Sequence, residues 1–283
     1  MAGPKVFLDY DQKALDDAYD QAIYAANRDQ VIARFASASR ITRQRLGQPE
    51  RFSYGKSAVQ GLDLYRTRAT NAPINVFIPG GAWRAGLARD YAFPADMLVA
   101  AGSHLAVLDF SNVLETGGDL MRMAEQVQRG VAWVVDNADQ LGADPGRVYV
   151  SATSSGAHLG GVVAASGLFV KGFVLASGMY DLRGPRLSKR SSYVRFTDEV
   201  EEALSPQRHL ARIKAPIVLL YGSLETPEFQ RQSREFAEAL SKAGKTVELI
   251  VAEGYNHFEL TETLGNPYGP LGHAVLRQMG LLA

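Results

Sequence analysis

Two features of the sequence predict an α/β fold with a mostly parallel central sheet and helices on both faces. Short apolar runs recur at Ile74–Ile78, Leu105–Phe110, Val148–Ala152, Gly172–Ala176, Ile217–Tyr221 and Val247–Val251. Helical patterns intervene, notably around Asp119–Asn137, Pro227–Leu240 and Leu271–Met279. Strands of this kind separated by amphipathic helices form sheets covered on both faces. The 283 residues, 46% apolar and 21% charged, are enough for one large core.

Composition removes several classes of chemistry. Thirty basic residues balance thirty acidic ones, so a broad basic field for nucleic acid is not expected. No cysteine is present, which excludes disulfides, thiolate-held zinc or iron–sulfur clusters and thiol catalysis. That count fits a reducing compartment, and a cytoplasmic location is the expectation. The opening residues show no apolar run after a basic segment, so no secretory signal is read there. The run Gly161–Tyr180 imitates a membrane span, but it contains glycines, serines and a central Lys171. A helix end, a turn at Val170–Gly172 and a buried strand explain it better, and a soluble protein is expected.

Residues 1–51 form an amino-terminal helical extension or cap, ahead of a core at 52–283. From Asp9 to about Leu46 the pattern is helical, with Leu15, Tyr19 and Ile23 on one face and Ile32 and Phe35 after a break. Arg43, Arg45 and Arg51 read as a solvated basic face. From Phe52 the chain alternates as edge strands do, supplying antiparallel strands ahead of Ile74. Residues 181–210 carry two prolines and many charges between two strands, and are read as a lid over the carboxyl end of the sheet.

The chemistry concentrates at two turns. Val148–Ala152 enters Thr153-Ser154-Ser155-Gly156, where a strand meets a glycine- and alanine-rich helix. Such an elbow exposes the Ser154 hydroxyl and aims the next N–H, that of Ser155, at the same centre. Ser151 and Ser155 are rivals whose hydroxyls can instead satisfy backbone groups. Ile74–Ile78 runs into Pro79-Gly80-Gly81-Ala82-Trp83. The N–H groups of Gly80, Gly81 and Ala82 can there stabilise the anionic oxygen formed when a serine attacks an acyl carbon. Trp83 and Tyr255 are candidate pocket residues.

Pro79–Trp83 resembles the H-G-G-x-W oxyanion loop of kynurenine-formamidase-like α/β-hydrolases, and Ser154–Leu159 resembles their S-A-G-A-H-L elbow. Tyr54-Gly55 and Leu62–Tyr65 extend the likeness upstream. Proline at 79 stands where that family has histidine, and Ala152 where it has glycine. The resemblance implies an α/β-hydrolase fold and an activity on a small acyl amide without a cofactor or metal, with a carboxylesterase as the alternative.

Five histidines compete to serve as the base: His104, His158, His209, His257 and His273. His257 follows the last buried strand and resembles the family's late G-x-x-H-F segment. His158 follows Ser154 by four residues on the same helix and reads as polar support. The acid falls between serine and histidine in this fold's chain order. Glu225, after the strand ending at Tyr221, is favoured; Asp181 is the alternative, and Asp109 precedes Ser154. No phosphate loop, dinucleotide fingerprint or H-E-x-x-H is present. A non-catalytic binding protein and a homodimer both stay open; nucleic acid and membrane partners are not expected.

Overall fold

A computed structural model describes residues 3–282. Eight strands form one sheet: β1 (Glu50–Ser53), β2 (Gly61–Tyr65), β3 (Ala72–Ile78), β4 (His104–Leu108), β5 (Ala143–Thr153), β6 (Gly172–Ala176), β7 (Ile217–Gly222) and β8 (Val247–Ala252). Their spatial order is β1-β2-β4-β3-β5-β6-β7-β8. β2 runs antiparallel to β1 and β4, and every pairing from β4 to β8 is parallel.

The strands read as unbroken apolar runs because both faces are covered. Ile74, Val76 and Ile78 of β3 join the same core cluster as Val148 and Val150 of β5. Phe77, Val107, Val174 and Leu220 point to the opposite cluster. On the first face pack α1 (Gln12–Ala18), α4 (Leu120–Asp136), α5 (Ser155–Ala165) and α8 (Pro227–Lys242). The second face is covered by α2 (Arg28–Leu46), α3 (Ala95–Ala100), α9 (His257–Glu262) and α10 (Pro270–Gln278). The sequence pattern did not indicate α3, whose six residues are too short to display a 3.6-residue period. Among the described residues no helix is long and apolar enough to cross a membrane. Gly161–Tyr180 divides into the end of α5, a connection with Phe169 exposed, and β6.

The amino-terminal segment departs from its expected register. Helix begins at Gln12, and a 3-10 turn at Gln21–Tyr24 separates α1 from α2. A 3-10 turn advances by three residues rather than 3.6, so one apolar face cannot be carried across it. Leu15, Tyr19 and Phe35 are buried as expected, but Ile23 and Ile32 are exposed and Val31 takes the inward position. The three arginines are paired rather than free. Arg51 bridges Asp63 and Asp109, Arg45 meets Asp96, and Arg43 donates to the Arg89 carbonyl.

Residues 181–210 fold into α6 (Arg183–Leu187), α7 (Asp198–Ala203) and short 3-10 turns. Arg186 and Arg208 both hold Glu201, at 3.0 and 2.7 Å, and Arg208 also reaches Asp181 at 3.3 Å.

Candidate active site

Four neighbouring parallel strands each deliver one polar side chain at their carboxyl ends: Ser154 after β5, Ser177 after β6, Glu225 after β7 and His257 after β8. The loop after β3 adds Gly80–Trp83 beside them. The connections leaving β3 and β5 diverge to opposite faces of the sheet, which opens a crevice where ligands of α/β folds bind.

Steric closeness holds the serine. Ser154 has φ 57° and ψ −129°, a conformation costing about 1–3 kcal/mol that survives only where the surroundings enforce it. Its N–H donates to the Ala176 carbonyl at 2.8 Å, and α5 starts at the next residue. A Cβ at Gly156 would lie 2.3 Å from the Ile78 carbonyl oxygen, so only glycine lets α5 approach β3 there. With the serine so fixed, its Oγ lies 2.8 Å from His257 Nε2. His257 Nδ1 donates to Glu225 Oε2 at 2.7 Å. Glu225 and His257 are buried, and Ser154 is partly exposed.

The loop after β3 presses against the elbow. A Cβ at Gly80 would meet the Thr153 carbonyl oxygen at 2.8 Å and Ser154 Cβ at 2.9 Å. Gly81, Ala82 and Trp83 all have positive φ, and the turn closes by Arg84 and Ala85 N–H groups donating to the Gly81 carbonyl. Among the described residues, the N–H groups of Gly80, Gly81, Ala82 and Ser155 have no acceptor. The Trp83 N–H is already committed to Ser155 Oγ at 3.1 Å.

Residues 62–175 match the BD-FAE family, a span that includes the glycine loop and the elbow and stops before Glu225 and His257. Kynurenine formamidase of Danio rerio is 27% identical over 241 residues, covering 80% of each chain. Isoprenylcysteine alpha-carbonyl methylesterase of Arabidopsis thaliana is 26% identical, over 73% of this chain and 56% of its own. A crystal structure described as a candidate thioesterase from Silicibacter sp. TM1040 superposes with a TM-score of 0.81 at 22% identity, covering 91% of this chain and 97% of that one. The chain has the α/β-hydrolase fold and is similar in sequence to kynurenine formamidases and esterases.

Three supports of the hydrolase's site escaped sequence reasoning. Glu225 Oε1 accepts from Ser177 Oγ at 2.5 Å and from the Gly222 N–H at 2.7 Å. Its Oε2 accepts from Gln21 Nε2 at 2.9 Å, besides His257. Ser177 had a local signal, a hydroxyl immediately after a buried strand. Gln21 had none, lying 204 residues from its partner. The third is Arg190, which is buried with Nη1 donating to Tyr193 Oη and Nη2 to the Tyr19 carbonyl, both at 3.0 Å. Its guanidinium lies 5.4 Å from the Trp83 ring centre and 5.8 Å from that of Phe229. The Phe229 ring in turn packs edge-on against His257. Arg190 Nε has no partner, and no carboxylate lies within 4.0 Å of the group among the described residues.

His158 is support, as its place on the helix suggested. The Trp83 indole can only donate, so His158 Nδ1 accepts from it at 3.2 Å and Nε2–H donates to the Leu204 carbonyl at 2.8 Å. Burial pushes this imidazole down to about 4, so it is neutral. Trp83 itself corrects an expectation. It is fully buried against His158 and Phe196, so it braces the glycine loop instead of lining an open pocket wall. The Tyr255 ring packs against the second core cluster, while its carbonyl accepts from the Leu224 N–H at 3.1 Å, joining the two loops.

The remaining candidates lie elsewhere. Asp181 accepts from the Arg183 N–H and pairs with Arg208. Asp109 holds the Ala88 N–H and Arg51. Ser151 donates to Asn75 inside the sheet. His104, His209 and His273 bind the carbonyls of Gly142, Glu202 and Pro267.

Proposed function

We propose that Ser154, His257 and Glu225 are nucleophile, base and orienting acid of an acyl-transfer reaction on a small acyl amide, with the N–H groups of Gly80–Ala82 and Ser155 as oxyanion donors. The observation that carries this reading is the continuous relay from Glu225 through His257 to Ser154, set beside backbone donors that lack acceptors. His257 Nε2 takes the hydroxyl proton as Ser154 Oγ attacks the acyl carbon. The developing oxyanion lies against the free N–H groups, and Glu225 stabilises the imidazolium. His257 then protonates the departing amine, and the free amine leaves an acyl-serine. Water, deprotonated by His257, releases the acid and restores Ser154.

Amide cleavage is favoured because the Danio rerio relative is named a formamidase. An ester is the second reading, supported by the methylesterase relative and by the shared tetrahedral chemistry. Arg190, a buried cation beside Trp83 and Phe229 with no carboxylate partner among the described residues, is the reason to test substrates that carry an acidic group. Matched amides and esters, each with and without a carboxylate, should be turned over by purified protein while released amine, alcohol and acid are measured directly. Selective kcat/KM for the acidic amides supports the reading. Ester turnover with negligible amide turnover replaces it by the esterase, and binding without product replaces it by a non-catalytic protein.

The reading extends to organisation. Residues 1–51 act as an extension of the 52–283 core, 181–210 as a lid, and the enzyme works in the cytoplasm away from membranes. A homodimer is the assembly to test by sedimentation.

A further inference from the structure

We infer that the amino-terminal segment supplies positioning residues for the acid and the histidine, with Gln21 fixing the Glu225 carboxylate and Asn27 fixing the start of the helix that carries His257. The inference rests on the triad reading above.

Glu225 is buried, and a carboxylate removed from water needs hydrogen-bond donors to replace water and hold it in one orientation. Ser177 and Gly222 hold Oε1. Among the described residues Oε2 accepts from His257 and Gln21 alone, so Gln21 is the fixed donor there on the oxygen that faces the imidazole. The Gln21 carboxamide is itself oriented. Its Oε1 accepts from the Thr226 N–H at 3.3 Å, so a flipped amide would set oxygen against the carboxylate and leave that N–H facing a donor.

Asn27 acts on the neighbouring loop. His257 is the first residue of α9, capped by Asn256, whose Oδ1 accepts from the N–H groups of Phe258 at 3.0 Å and Glu259 at 3.1 Å. Glu259 Oε2 returns to the Asn256 N–H at 3.1 Å. Asn27 holds both members of this capping box, accepting from Asn256 Nδ2 at 2.9 Å and donating to Glu259 Oε1 at 2.6 Å. Seven residues of one segment, Gln21 to Asn27, thus bracket the acid loop and the histidine helix.

The test uses the full chain. Gln21→Leu keeps much of the side-chain volume and removes both hydrogen bonds. A roughly tenfold loss in kcat with KM within about twofold is expected, and the same substitution in a Glu225→Gln background should change kcat by less than about twofold. Gln21→Glu donates only while protonated, so its kcat should decline on the alkaline side through a limb the parent lacks. This variant also decides the matter if Gln21→Leu does not fold. Asn27→Ala should lower kcat about threefold to tenfold, whereas Gln12→Ala on the same segment, which loses contacts to the Asp16 carboxylate and the Leu187 carbonyl but none to the triad loops, should leave kcat unchanged. Lowered melting temperature with unaltered kcat and pH profile in the Gln21 variants would make the segment a packing element and overturn the inference. Undiminished turnover by Ser154→Ala would instead remove the triad reading itself.

Discussion

The loops after β3 and β5 and the loops after β7 and β8 meet at one hydrogen bond, from Ser154 to His257, yet different forces hold them. On the serine side, Gly80 and Gly156 let backbones approach so closely that Ser154, Ala82 and Trp83 keep positive φ. On the acid side, Glu225 has four hydrogen-bond donors, and His257 opens a helix with a capping box. Steric closeness resists change abruptly, since one methyl group meets fixed backbone. A hydrogen-bonded site yields gradually, because each donor removed leaves others.

The largest effect expected is at the point both halves share. Ser154→Ala should lower kcat by about 10⁵–10⁶-fold, with a circular dichroism spectrum like the parent's. Next comes the acid. Glu225→Gln should cost on the order of 10³–10⁴-fold in kcat, and Asp181→Asn less than about threefold. A reversed order would move the acid role to Asp181. Gly80→Ala probes the steric half. The added Cβ must push the loop away from Thr153 and Ser154, withdrawing the proposed oxyanion donors, so kcat should fall about 10²–10³-fold. Parent-like kcat in that variant would mean that the loop is compliant, and the contrast between the halves would collapse.

The smallest effect is on stability. His158 binds its proton near pH 4 when folded and near 6.5 when unfolded. Between these values the unfolded chain holds more protons, so its contribution is present above about pH 6.5 and is lost as pH falls towards 4. It is worth up to about 3 kcal/mol. His158→Gln should flatten the fall in melting temperature between pH 7 and pH 4.5 relative to the parent. Equal slopes in parent and variant would show that His158 does not drive the acid sensitivity.

The same contrast explains what the sequence disclosed. Closeness needs small residues at fixed spacing, so Gly80-Gly81 and Ser154-Ser155-Gly156 were legible, as were the strand ends that carry Glu225 and His257. The antiparallel strands β1 and β2 were legible as alternation from Phe52 onward, and β6 by its bounds, being set by local apolar patterning. Hydrogen bonds leave no such trace. Nothing near Gln21 or Asn27 marks them as partners of residues more than 200 positions away. His158 could be set aside as base from its place on the helix, but its bond to Leu204 needed the fold of residues 181–210. Trp83 misled because aromatic character marks a wall and a buried brace alike.

The bond between Gln21 and Glu225 also has a consequence in time. A ribosome adding about 5–20 residues per second needs roughly 10–40 s to traverse the interval between them. Throughout that interval Tyr19 and Gln21 lack their buried partners on α8 and its preceding loop, and His257 does not yet exist. Contacts of such long sequence separation form slowly, because the loop must close before it is rewarded. Turnover should therefore be the last property to appear, on the ribosome and in a refolding mixture, trailing the circular dichroism of the sheet.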